Sequence, residues 1–123
     1  HTQLPPYAQA KLVYCVQGRI LDVAVDVRKN SPTFGQSFAV ELTEENRWQL
    51  FVPKGFLHGY SVLSETALVG YKCDNFYNKE SECGIHPLDN TVNIDWRIPA
   101  EQQLISEKDL NAISFLELPE IIL

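Results

Sequence analysis

Only a few residues in this chain are of types that do chemistry and stand where a fold could use them. His58 follows the tight turn Pro53-Lys54-Gly55 at the start of an apolar run. An imidazole titrating near neutrality can take up and release protons or bind a metal. The chain has three histidines, His1, His58 and His86, with no His-x-His pair, and Cys15, Cys73 and Cys83 lack CxxC spacing. A metal needs three or four converging ligands, so the expectation is a metal-free pocket histidine. Asp22 and Asp26 alternate with Ile20 and Ala24 on one face of a strand. That face is either solvated or the interior of a barrel. In the second case the carboxylates need Lys, His or water as partners, and Asp22 becomes a site-lining residue. Tyr71 and Lys72 are adjacent on another strand and face opposite ways; the tyrosine is the one expected inward, where its hydroxyl can act as an acid. His86 reads as a surface residue, Asp109 as a carboxylate at a helix start, and His1 as a frayed end.

Short strands must position these groups. Lys11–Gln17 is β-branched and aromatic and ends at Gly18. Arg19–Arg28 alternates, with Leu21, Val23, Val25 and Val27 on the face opposite the aspartates. The turn cluster Lys29–Gly35 leads to strands Gln36–Leu42 and Trp48–Val52. Phe56–Leu63 and Ala67–Cys73 read as a hairpin around Ser64-Glu65-Thr66. Six short strands at this spacing indicate an all-β sandwich or barrel rather than βαβ units. After Asp74 comes a long polar loop, then the segment Thr91–Trp96. Ser106–Leu123 has room for a short helix, capped by Ser106 or Asp109 and limited by Pro119.

Composition bounds the function. The chain has 123 residues, 45% hydrophobic and 21% charged, which fits one globular domain and excludes disorder. Net charge is −6 and no Lys/Arg run occurs, so a nucleic-acid partner is not expected. The first 64 residues carry six bases against five acids; the remainder carry four against eleven. An anionic small molecule therefore fits better among groups of the first half. Three cysteines without a pairing pattern suggest a reducing, cytoplasmic setting, and no apolar run is long enough for a membrane helix.

Several strings, in order, resemble the dTDP-4-dehydrorhamnose 3,5-epimerases. They are His1-Thr2-Gln3-Leu4-Pro5-Pro6-Tyr7-Ala8-Gln9-Ala10-Lys11-Leu12-Val13, Asp22–Arg28, Ser31–Gly35, Glu44–Arg47, Pro53–Tyr60, Ile94-Asp95-Trp96 and Leu104–Asp109. The Pro-x-Gly-x-x-His turn at Pro53–His58 is an arrangement known in cupin barrels. The likeness covers nearly the whole chain. It implies an all-β cupin jelly roll with a short C-terminal helical segment, without metal or other cofactor, and a homodimer. It implies epimerisation at C3 and C5 of dTDP-4-keto-6-deoxyglucose on the path to dTDP-L-rhamnose. By the same resemblance His1 falls at the general base, Asp109 at its paired carboxylate, Lys11 beside the developing enolate oxygen and Tyr71 at the general acid. Asp22, His58, Tyr77 and Lys108 fall at substrate-binding positions, Tyr77 being an aromatic that helps hold the nucleotide.

Tyr14 stands where the family commonly has an arginine, and Ala67-Leu68-Val69-Gly70 replaces a more usual run before the tyrosine. Three other activities remain open at this point: a monofunctional epimerase, a keto-sugar isomerase, and a non-enzymatic sugar-nucleotide-binding cupin. No methionine occurs and His1 is the first residue. With the resemblance, residues 1–123 are expected to be one cupin domain without the family's N-terminal strands. Weak activity or none is expected for this stretch alone, because a base tethered on one side is loosely held.

Overall fold

The computed structural model describes residues 1–123. Eight strands form: β1 (Thr2–Gln3), β2 (Lys11–Gln17), β3 (Arg19–Asp26), β4 (Ser37–Thr43), β5 (Gln49–Val52), β6 (Phe56–Val62), β7 (Leu68–Cys73) and β8 (Glu82–Cys83). They pair, always antiparallel, into sheets ordered β4-β3-β6, β5-β2-β7 and β1-β8. Helix is confined to α1 (Glu107–Leu110) and three single 3-10 turns. This is the cupin jelly roll implied by the sequence.

The two three-stranded sheets pack face to face over Val13, Cys15, Ile20, Ala24, Leu42 and Val52. The outer face of β3 is covered as well. Leu21, Val23, Val25, Val27, Leu57 and Ile121 form a second core beneath the C-terminal third of the chain. Ile85, Ile94, Trp96 and Phe115 pack onto it. Thr91–Trp96 therefore lies on the sheet without joining it. Burying each Val, Leu or Ile stabilises by roughly 1.5–3 kcal/mol, so a strand sandwiched on both sides anchors the molecule.

Double coverage settles the two aspartates. Asp22 and Asp26 face the inter-sheet interior, at 0% and 1% exposure. Asp26 ends β3, two residues before the strand boundary expected at Arg28. Its carboxylate takes two hydrogen bonds from the Arg28 guanidinium, at 2.9 and 2.8 Å, and one each from Ser31 and Thr33. These bonds fold Lys29–Gly35 back over the strand end. The Arg28 bond, with help from Ser31 and Thr33, outweighs burial and holds the Asp26 carboxyl far below the usual carboxylate range.

The expected hairpin of Phe56–Leu63 with Ala67–Cys73 does not form. β6 pairs with β3, and β7 pairs with β2 in the facing sheet. The link between them crosses the sandwich at the end where Gly18 joins β2 to β3. There the Ser64 hydroxyl accepts from Arg19 N at 2.9 Å and donates to Thr66 O at 2.6 Å. A three-residue polar turn fits a hairpin or a sheet crossing equally well, and alternation along each strand is the same in both. What decides is burial: β6 offers Leu57 to the outer core and β7 offers Val69 to the inner one. Ahead of β6, Gly55 adopts φ +83° in a turn where a Cβ would run into Arg28 and Leu123. That turn sets the register that brings His58 opposite Ala24.

An Asp26→Asn variant should lose roughly 2–4 kcal/mol of stability at neutral pH, since charged hydrogen bonds to a buried group are removed. The lowered folded-state value means that Asp26 stabilises the fold above the ordinary carboxyl value of 3.8 and loses that contribution as pH falls below it. Denaturant titrations from pH 7 to 2.5 should therefore show a steeper acid decline for the unaltered protein than for Asp26→Asn.

Candidate active site

A cleft of about 510 Å³ opens at one end of the roll, within the range of small-molecule sites. Both sheets line it. β2 brings Lys11, which shares its inward face with Val13 and Cys15. Across the ladder, β7 brings Val69, Tyr71 and Cys73, directly opposite Cys15, Val13 and Lys11. The facing sheet supplies His58 and Tyr60 from β6, β1 brings Gln3, and His1 precedes it.

His1 is not a frayed end. Its backbone exchanges two hydrogen bonds with that of His58, each 2.9 Å, so the two residues stand side by side across the β1–β6 junction. The His1 ring has a carboxylate near each nitrogen. Nε2 lies 2.5 Å from Asp109 Oδ1, and Nδ1 lies 3.3 Å from Glu82 Oε1. Asp109 reaches it because Ser106 caps α1, its hydroxyl accepting from Asp109 N at 3.2 Å. Gly84 makes room for the ring, since a Cβ there would sit 2.6 Å from Nδ1.

His58 forms a second histidine–carboxylate pair. Its Nε2 is 2.6 Å from Asp22 Oδ1, while Asp22 Oδ2 has no partner. Asp22 is fully buried behind the ring and does not border the cleft, so it reaches a bound molecule only through His58. Tyr71 faces the cleft from β7 with 62% of its surface exposed and its hydroxyl unbonded. The inward orientation expected of it is found, but not burial, because β7 is the edge of its sheet. Lys11 Nζ lies 6.0 Å from the centre of the Tyr71 ring.

Tyr77 borders the cleft and donates its hydroxyl to Glu82 Oε2 at 2.8 Å. Lys108 lies outside the cleft wall, its ammonium 2.6 Å from Glu82 Oε1. Glu82 thus joins Tyr77, Lys108 and His1. Burial pushes its carboxyl up, but hydrogen bonds from Lys108 and Tyr77 and the charges of Lys108 and His1 outweigh this and hold it below its ordinary value. The same hydrogen bonds raise the Tyr77 hydroxyl and the Lys108 ammonium.

The structure therefore brings His1, Asp109, Lys11, Tyr71, His58 and Tyr77 to one cleft, with Asp22 and Lys108 behind its walls. Sequence reasoning missed Glu82, Gln3, Gln9 and Tyr60. Glu82 has no local signal among the acids of a polar loop. Gln3 had one: two residues after His1 on an extended segment, it must share that residue's face. No group of three or more His, Cys, Asp or Glu side chains converges as a metal site would require.

Gly84→Ala should push the His1 ring off Asp109. The ring ¹⁵N resonances of His1 should move while those of His58 stay in place, and the thermal midpoint should change little. Unmoved His1 resonances would show that the ring does not depend on that space.

The family model described as dTDP-4-dehydrorhamnose 3,5-epimerase matches residues 1–117. The dTDP-4-dehydrorhamnose 3,5-epimerase of Shigella flexneri is 51% identical over 117 residues, covering 95% of this chain and 64% of that protein. The crystal structure of the Elizabethkingia anophelis enzyme of the same name superposes with a TM-score of 0.92 at 55% identity, over 94% of this chain and 63% of that one. The dTDP-6-deoxy-D-glucose-3,5-epimerase of Legionella pneumophila, solved in complex with dTDP-4-keto-L-rhamnose, superposes with a TM-score of 0.90 at 44% identity, over 95% and 62%. The chain thus spans a little under two thirds of the length of these relatives. With a matching model over nearly all its residues and half its positions identical to a curated relative, the chain belongs to the dTDP-4-dehydrorhamnose 3,5-epimerase family.

Proposed function

We propose that this protein epimerises C3 and C5 of dTDP-4-keto-6-deoxyglucose, giving dTDP-4-dehydro-L-rhamnose for dTDP-L-rhamnose synthesis. The observation that carries this reading is that His1, bonded through its backbone to His58 on β6, and Tyr71, on β7 of the facing sheet, line one cleft. Inverting a carbon requires a proton to leave one face and another to arrive on the other. Residues 1–123 act in this as one cupin domain.

His1 is the base. Asp109 accepts the Nε2–H, so Nδ1, beside Glu82, is the nitrogen left to take up a proton. After proton abstraction the imidazolium stands between two carboxylates, Asp109 and Glu82, which favours the charge that forms. Lys11 supplies positive charge where the enolate oxygen develops, an effect worth roughly 3–4 kcal/mol in comparable sites. Tyr71 delivers the proton to the opposite face; its exposed, unbonded hydroxyl is free to meet the sugar. His58, oriented by Asp22, contacts the substrate, and Tyr77 offers an open ring face to the nucleotide. The protein works as a homodimer in the cytoplasm. No helix in the chain is long and apolar enough to cross a membrane.

In deuterium oxide, the protein should place solvent deuterium at both C3 and C5 of the keto-sugar nucleotide, read by mass spectrometry and NMR. Label at one carbon would make it a monofunctional epimerase, a moved carbonyl a keto-isomerase, and binding without exchange a non-enzymatic binder. Tyr71→Phe should lower kcat by about 100-fold or more with KM changed only a few-fold, because the hydroxyl acts in the transition state alone.

A further inference from the structure

We infer that Gln3 is a positioning residue that fixes Tyr77 for nucleotide binding, clamping the backbone on both sides of that ring. The inference rests on the nucleotide role proposed for Tyr77 and adds the device that holds it in place. Gln3 is 4% exposed, on a strand of only two residues. Its side-chain amide makes three hydrogen bonds. Nε2 donates to Tyr7 O at 2.7 Å and to Phe76 O at 3.1 Å, and Oε1 accepts from Asn78 N at 2.9 Å. Phe76 and Asn78 are the residues immediately before and after Tyr77.

The chemistry of the contacts selects the residue. Two carbonyls require donors and one backbone N–H requires an acceptor, all within reach of one side chain. Only a primary amide carries both, and among side chains of that type only Gln has the length. A glutamate would have no hydrogen to give the carbonyls, and an apolar residue would leave three part-buried backbone groups without this partner. Gln3 also stands directly opposite Glu82 in the β1–β8 pair, and Glu82 accepts the Tyr77 hydroxyl. Tyr77 is thus fastened before, after and at its tip, while 66% of its surface remains open. A ring held through its flanking backbone and its hydroxyl, and largely exposed, can stack against a flat base.

His1 immediately precedes β1. β1 therefore sets the spacing between the residue that meets the reacting carbons and the ring that meets the nucleotide. Loss of the clamp should free Tyr77 without disturbing His1, which is tied separately to His58.

The test compares Gln3→Met, Tyr77→Ala and the double variant by calorimetric titration with dTDP and by steady-state kinetics. Gln3→Asn, which keeps the amide but shortens its reach, substitutes if Gln3→Met does not fold. Gln3→Met should weaken dTDP binding and raise KM by about tenfold, as expected for the loss of two or three part-buried hydrogen bonds that order a ligand-binding ring, with kcat within about threefold. In the Tyr77→Ala background the same change should add little. Hydrogen exchange of the Asn78 amide should accelerate in Gln3→Met. An equal, additive loss in the Tyr77→Ala background would overturn the proposal, as would unchanged dTDP affinity or a fall in kcat at constant KM. If the unaltered protein does not bind dTDP, the functional reading fails, and the nucleotide half of this inference with it. Unchanged Asn78 exchange would separately refute the clamp.

Discussion

Strand β3 is covered on both faces and carries two carboxylates inside the sandwich, and everything else follows from finding them partners. An unpartnered charge in such a place costs several kcal/mol. Asp26 meets the demand at the strand end with Arg28, Ser31 and Thr33, which folds the following loop back on itself. Asp22 lies deeper and meets it with His58 from the neighbouring strand. That pairing requires β6 to lie beside β3, and a histidine placed there opens onto the cleft. The cleft is thus built around a solution to a burial problem.

The two histidine–carboxylate pairs differ in a way that suits different tasks. His58 leans on a carboxylate sealed from water, so its ring is oriented by a rigid strand. His1 leans on Asp109, presented by a single turn of helix at the surface, with Glu82 on its other nitrogen. The base proposed in His1 must gain and lose protons, and a partly open site with charge on both sides permits that. Lys11 and Tyr71 come from the opposite sheet, where neighbouring ladder positions bring them near each other.

Much of this was legible in the residues. Alternation in Arg19–Arg28 gave the two faces of β3, and Pro53-Lys54-Gly55 gave the turn before His58. Which face met solvent was not legible, because the covering for both comes from distant segments. The sheet crossing after β6 was hidden for the same reason: a strand's alternation does not say which sheet it joins. Roles for His1, Asp109 and Lys11 came from resemblance alone. The dyad partners are 108 positions apart, and no local pattern links them. Glu82 was out of reach, since its importance lies wholly in its three partners.

The span between His1 and Asp109 has a meaning in folding order. Segments 85–121 must settle on the outer face of β3 before α1 can bring Asp109 to the ring. Contacts this far apart along a chain are among the slowest to form, since the intervening loop must first be closed. The sandwich of β2 to β7 can therefore assemble while His1 still lacks a carboxylate on Nε2. Under the role proposed for His1, the reactive arrangement arrives only with the last tier of tertiary structure, and a molecule whose C-terminal cover has peeled away loses it before it is unfolded.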